Sequence, residues 1–179
     1  QHHTAAVKRL PGGDSIPIFV TDPNPTALAR FLEYFPLARA YPSVEALLAA
    51  PPQPEDIVIV AAPPVTHCAI TLQALRSGRH VLCEKPLAMN QAEVNEMLAA
   101  ARAARRVLGC CSCRFLGSAS TDAARDIVRA GGLGRIYHAT FIHRERRSRP
   151  GIEFQPASPW FLDKSKNGGG TLMNMGPYD

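Results

Sequence analysis

The chain has 179 residues, 46% hydrophobic and 20% charged, with a formal net charge of +5. This length holds one domain, or one domain and part of a second, with a core that removes roughly 70% of the extended-chain surface from water. The apolar and charged fractions are those of a soluble globular protein, and no apolar run approaches the ~20 residues of a membrane span.

The basic charge is densest in "HRERRSR", His143 to Arg149. It reads as a solvated loop or strand end, with an anion site as the alternative. It lacks the extent and interleaved aromatics of a nucleic-acid surface. Five cysteines occur, Cys68, Cys83, Cys110, Cys111 and Cys113. Their odd number and the absence of a C-x-x-C pair argue against a disulfide framework or a zinc site. They read as reduced packing residues of a cytoplasmic protein, and no signal peptide is visible. Since the sequence starts at Gln1, its beginning carries no information about export.

In chain order, His2 and His3 run directly into the helix-like "TAAVKRL" and read as native sequence. "IPIFV" (Ile16 to Val20) predicts a strand. "NPTALARFLEYF" follows with helical spacing at Leu28, Phe31, Leu32 and Phe35. "ARAY" (Ala38 to Tyr41) is a short strand, and "SVEALLAA" a short helix capped by Ser43. "DIVIVAA" (Asp56 to Ala62) is apolar on both faces, as a strand covered by helices on both sides must be. A helix from Val65 to Arg76 stops at Ser77-Gly78. After the strand "HVLC", Asn90 and Glu93 form a capping box, with Val94, Met97, Leu98 and Ala101 as the buried stripe. "RVLGCCSC" is the next strand, and a helix from Thr121 to Ala130 ends at Gly131-Gly132. Strand and helix in turn at this spacing predict an α/β fold with a doubly wound parallel sheet. After Gly134 the pattern changes. "GRIYHATFIHRER" predicts a long strand with Ile136, His138, Thr140 and Ile142 on one face, suited to an open antiparallel sheet. The domain boundary falls near Arg114, giving domains over 1–113 and 114–179.

In an open α/β sheet, ligands bind beyond the carboxyl ends of the strands. Glu84 and Lys85 in "HVLCEKPLAMN" stand at such an end, as do "APPVTH" and Asp22. Asp22 could accept hydrogen bonds from ribose hydroxyls, or serve only the turn "TDPNP". Lys85 could be the partner of Glu84, or a desolvated amine that exchanges a proton with a substrate hydroxyl. Pro86 fixes the backbone just past it. Arg114, after a strand, reads equally as a cleft residue or a surface charge. Gly168, Gly169 and Gly170 would let the backbone approach a ligand closely, or form a flexible loop.

"GRHVLCEKPLA", "GGLGRI" and "GGGTLMNMG" in this order, with "APPVTH" upstream, resemble the glucose–fructose oxidoreductase / inositol dehydrogenase (Gfo/Idh/MocA) family over essentially the whole chain. The resemblance implies an N-terminal NAD(P)-binding Rossmann domain. It also implies a second domain for substrate and oligomerisation, built on an open antiparallel sheet. It implies hydride transfer between nicotinamide and a hydroxyl or carbonyl carbon of a sugar, inositol or related polyol. Lys85 would be the catalytic lysine, with Glu84 and Pro86 shaping the nicotinamide site. Pro64 and His67 would line the cofactor groove and Asp22 would bind the adenosine ribose. The expected cofactor is NAD, with NADP as the alternative. The complete protein would be a homo-oligomer with neither nucleic-acid nor membrane partners.

Two departures stand out. The family opens with a strand and a glycine-rich turn that cradles pyrophosphate. Here the sequence starts where the first helix should already run, so that strand, a central one, is expected to be missing, and the fragment to be inactive alone. Many members also carry an Asp and, four residues on, a His in the "GGG" segment, where this chain has Asn174 and Tyr178. Tyr178 could relay a proton, as in the sub-branches resembling glucose–fructose oxidoreductase and dihydrodiol dehydrogenase, or be a half-buried aromatic. Asn174 cannot titrate but could orient a substrate hydroxyl. A non-catalytic nucleotide-binding or regulatory module on the same fold is the rival reading.

Overall fold

The computed structural model describes residues 2–113, 116–140, 142 and 159–178. The chain divides into two compact units. One comprises Gln1–Val60, Ala69–Leu82 and Met97–Leu108, the other Ala61–Cys68, Cys83–Glu96 and Gly109–Asp179.

The first unit opens with α1 (His2–Lys8) and β1 (Phe19–Val20). Asn24 starts α2 (Pro25–Tyr34), its side chain accepting the Thr26 and Ala27 N–H groups at 3.0 and 3.3 Å. Pro25 occupies the first turn, where its missing N–H costs nothing. Phe31 and Phe35 meet with ring centroids 4.9 Å apart, and the Lys8 ammonium lies 5.0 Å from the Phe35 ring centre. β2 (Arg39–Ala40) pairs parallel with β1, Phe19 opposite Arg39 and Val20 opposite Ala40. Ser43 caps α3 (Val44–Leu48) through a 3.1 Å bond from the Ala46 N–H.

Three further strands, β3 (Ile57–Val60), β4 (His80–Cys83) and β5 (Leu108–Cys110), form a second sheet in the order β3-β4-β5, linked through α4 (His67–Arg76) and α5 (Gln91–Ala104). The His80 N–H donates to Asp56 O, the Val81 N–H to Val107 O and the Cys111 N–H to Cys83 O, so all three strands run the same way. Among the described residues no strand joins β1-β2 to β3-β4-β5. Val60, Leu72, Ala74, Leu75, Val81, Met97 and Ala101 form the apolar core of the first unit. Leu98, expected in that stripe, is 38% exposed, because the buried face of α5 narrows to Met97 and Ala101.

Arg79, 5% exposed, ties the loops of this unit together. It donates to the Asp56 carboxylate (3.2 Å), Ser77 Oγ (3.0 Å), Leu48 O (3.2 Å) and Ala50 O (2.7 Å). A buried guanidinium demands this many acceptors. No pattern in the sequence announced it.

In the second unit, Asn90 and Glu93 form the expected cap of α5. Asn90 Oδ1 accepts the Glu93 N–H at 3.0 Å, and the Glu93 carboxylate accepts the Met89 N–H and the Asn90 side-chain amide, each at 3.0 Å. α6 (Ala119–Arg129) closes with the Gly132 N–H bonded to Ile127 O at 3.0 Å. Two short helices follow, α7 (Lys164–Asn167) and α8 (Gly170–Met175).

Two expectations need correction. No strand forms over Arg135 to Thr140, because a strand needs a neighbour for its backbone groups and none flanks this segment among the described residues. His138 Nε2 does lie 3.0 Å from Thr140 Oγ1, as alternation would have it. The cysteines are less buried than expected. Cys83 is buried, Cys68, Cys110 and Cys111 are half-buried, and Cys113 is exposed because β5 ends at Cys110. Arg114 and the "HRERRSR" segment lie outside the described residues.

Candidate functional site around Lys85

β4 carries the site. Cys83 is fully buried, and its thiol points back at Leu87 O, 3.8 Å away, so the chain turns sharply after the strand. The Lys85–Pro86 peptide within this turn is cis. The Glu84 carboxylate accepts the Lys85 N–H at 3.1 Å, a local bond that fixes the turn from its amino side.

The Lys85 ammonium is held from the other end of the unit's sequence. Its Nζ donates to the Asn174 main-chain oxygen at 2.7 Å and to Asn174 Oδ1 at 2.5 Å, and it lies 4.8 Å from the Tyr178 ring centre. Asn174, on α8, is 4% exposed, and Tyr178 closes the 3-10 turn Gly176–Tyr178. Ser112, in the loop after β5, donates its hydroxyl to Pro177 O and anchors that turn. The sequence reading singled out Lys85, Asn174 and Tyr178, and the structure brings these three together. It adds a contact for Asn174 that the sequence did not announce. Its amide oxygen accepts from Lys85 Nζ inside the unit, so in this geometry it orients the lysine, with a second lone pair left on that atom.

The glycines that precede α8 are needed for its placement. Gly168 has φ 83° and caps α7, and Gly170 has φ 56°. A Cβ on Gly168 would stand 2.9 Å from Met173 Cε and 3.4 Å from Met89 Sδ. A left-handed backbone packed this closely admits only glycine. The expected close approach is thus to two methionines. Asp163 caps α7, accepting the Ser165 N–H at 2.9 Å and the Ser165 hydroxyl at 2.6 Å. Those bonds and Lys166 hold its carboxyl below the usual value of 3.8. Trp160 is half-buried in the 3-10 turn just before it, its carbonyl accepting the Asp163 N–H at 3.1 Å.

Pro64 and His67, expected to line the cofactor groove, are both buried, the His67 residue to 1% exposure. The His67 ring nitrogens lie 2.8 Å from Pro86 O and 2.8 Å from Ala62 O, and the one that carries the N–H donates to its carbonyl. Cys111, also in this unit, has its thiol pushed up to about 11 by burial and by the charge of Glu84. In the first unit, Asp22 is exposed at the end of β1. One carboxylate oxygen accepts the Asn24 N–H at 2.8 Å, which leaves acceptor capacity for a pair of hydroxyls.

Parallel strands with polar side chains at their carboxyl ends, an amine bonded to Asn174 at one of them and an exposed carboxylate at another define an α/β protein of the dinucleotide-binding class. The chain belongs to the Gfo/Idh/MocA oxidoreductase family. Residues 1–111 match the family described as "Oxidoreductase family, NAD-binding Rossmann fold", and residues 121–179 match the "GFO/IDH/MocA C-terminal domain". It is 32% identical over 148 residues to 1,5-anhydro-D-fructose reductase of Ensifer adhaerens, covering 80% of this chain and 40% of that protein. It is 38% identical over 132 residues to D-glucoside 3-dehydrogenase of Escherichia coli, covering 73% of this chain and 34% of that one. The chain thus spans less than half the length of these relatives. Among solved structures it resembles the WlbA dehydrogenase of Bordetella pertussis in complex with NADH and UDP-GlcNAcA. That match has TM-score 0.67 and 26% identity and covers 76% of this chain and 41% of that one. Among the described residues no helix is long and apolar enough to cross a membrane.

Proposed function

We propose that the full-length protein is an NAD-dependent oxidoreductase. It would act on a hydroxyl or carbonyl carbon of a sugar or related polyol. The observation that carries this reading is the placement of Lys85 at the end of β4, its Nζ 2.7 and 2.5 Å from the two oxygens of Asn174.

Nicotinamide supplies the hydride chemistry when bound, and the protein supplies position and proton transfer. Glu84, Lys85 and Pro86 would form the wall next to the reacting carbon. Asp22 would accept the adenosine ribose hydroxyls, and its charge would disfavour a 2′-phosphate. In oxidation, the Lys85 amine takes the proton from the substrate hydroxyl as the hydride leaves carbon. In reduction, the ammonium returns that proton to the forming alkoxide. Both groups on Asn174 that hold Nζ are uncharged, and they orient the amine. Tyr178, its ring against Nζ, would relay the proton through its hydroxyl.

The substrate class rests on the relatives, a reductase of 1,5-anhydro-D-fructose and a dehydrogenase of D-glucosides. The test is a spectrophotometric assay of the full-length protein. It would use NADH with 1,5-anhydro-D-fructose and NAD with methyl glucosides, inositols and free aldoses. Turnover on at least one is expected. Tight NADH binding with no turnover across the panel would favour the non-catalytic module.

A further inference from the structure

We infer that His67 is a positioning residue for Lys85, acting through the backbone of the turn that carries it. The inference rests on the reading of Lys85 as the proton-transfer group.

His67 is 1% exposed and opens α4, yet its ring reaches two segments that belong to neither a helix nor a strand. One nitrogen lies 2.8 Å from Pro86 O, 19 residues away in sequence, and the other lies 2.8 Å from Ala62 O, five residues away. Ala62 follows β3, and Pro86 follows β4 one residue beyond Lys85. The ring therefore bridges the turns after two neighbouring strands.

A carbonyl that bends away from a strand end and is closed off from water needs a donor. Pro86 is itself buried, and its ring nitrogen has no N–H with which to anchor the turn. With its proton on Nδ1, His67 supplies that donor from the carbonyl side. The Glu84 carboxylate holds the same turn from the amino side, through the Lys85 N–H. Lys85 is thus fixed by Glu84 before it, by His67 after it and by Asn174 at its tip. Removing His67 leaves the turn held only from its amino side and at the tip of the lysine. A displacement of about 1 Å at a reacting group can cost on the order of 10²-fold in rate.

The experiment compares wild type, His67→Phe and His67→Gln in the full-length protein. Phenylalanine keeps a ring of similar volume with no donor, and glutamine keeps an amide donor. Hydrogen exchange read by mass spectrometry should rise at least tenfold for amides 84–90 in His67→Phe, with amides 70–82 unchanged. With 1,5-anhydro-D-fructose and NADH as probes, kcat should fall by at least tenfold, while the NADH dissociation constant stays within twofold. His67→Gln should restore part of both. Unchanged exchange at 84–90 in a folded His67→Phe protein overturns the inference, as does a rise spread evenly over 70–90. If His67→Phe fails to fold, exchange at 84–90 in His67→Gln decides by the same criterion. If the wild type shows no turnover at all, the proposed reaction fails while the exchange result still settles the role of His67.

Discussion

At the scale of single residues, the unusual choice in this chain is Asn174. An amide at this place binds Lys85 Nζ through an uncharged oxygen 2.5 Å away. A carboxylate there would favour the ammonium, so Asn174→Asp should move the limb of the kcat/KM pH profile that reports Lys85 to higher pH by about one unit or more. An unmoved profile would mean that the bond in the structure is not made in the active protein. Tyr178→Phe keeps the ring face near Nζ and removes only the hydroxyl. Turnover should fall and the profile change shape if the two groups share a proton path. A nearby thiol offers an independent probe of Glu84. With its pKa pushed to about 11 by burial and Glu84, Cys111 is almost wholly protonated at pH 8 and should react slowly with iodoacetamide. Glu84→Gln should speed that reaction, although burial, the larger cause, will remain. Equal rates in the two proteins would contradict the electrostatic contact.

At the scale of elements, much of the pattern could be read in advance. β4 falls on "HVLC" as expected, and Asn90 caps α5 through the Glu93 N–H, while the Glu93 carboxylate reaches the Met89 N–H and the Asn90 side chain. Both signals are local, written in residues that touch each other in sequence. Strand lengths were less legible. β1 shrinks to Phe19–Val20 and β5 to Leu108–Cys110, since a strand extends only as far as its neighbour pairs with it. The site was legible in its members and not in its contacts. Motif positions singled out Lys85, Asn174 and Tyr178, which the structure brings together. That Asn174 grips the lysine, and that His67 serves the turn beneath it, depends on long-range geometry. The Arg79 cluster was invisible for the same reason. One element makes a pH prediction. Asp163 caps α7, and its bonds to Ser165 and Lys166 lower its pKa from 3.8. A depressed carboxyl stabilises the folded state above the unfolded pKa, and that contribution is lost as pH falls through the folded value. The melting temperature should therefore drop on acidification below about pH 3.8 more steeply in wild type than in Asp163→Asn. Parallel curves would show that this cap contributes nothing measurable.

At the scale of the whole molecule, two further consequences follow from where polar and apolar groups are placed. Asp22 sets a carboxylate at the end of β1, which in the proposed cofactor site would favour NAD over NADP by repelling a 2′-phosphate. Asp22→Ser should narrow that preference by roughly tenfold, the effect of ~1.4 kcal/mol. Tighter binding of NADP by the wild type would overturn the assignment. Phe19 is 46% exposed on β1, and Ile57 and Ile59 are 62% and 36% exposed on β3. Exposed apolar side chains on strands invite edge-to-edge association. The 179-residue chain expressed alone should therefore self-associate, which light scattering would detect; a stable monomer that unfolds cooperatively would argue otherwise.

The central claim is that Lys85 transfers the substrate proton, and one comparison tests it most directly. Turnover, NADH affinity and melting temperature should be measured on the same samples of wild type, Lys85→Ala and Lys85→Arg in the full-length protein. The account predicts that Lys85→Ala lowers kcat by roughly 10²–10⁴-fold with little change in NADH affinity. Lys85→Arg should fail to rescue it, because a guanidinium cannot give up its proton near neutral pH. A Lys85→Ala protein that melts early but turns over normally per folded molecule would contradict the claim and leave Lys85 a structural partner of Asn174.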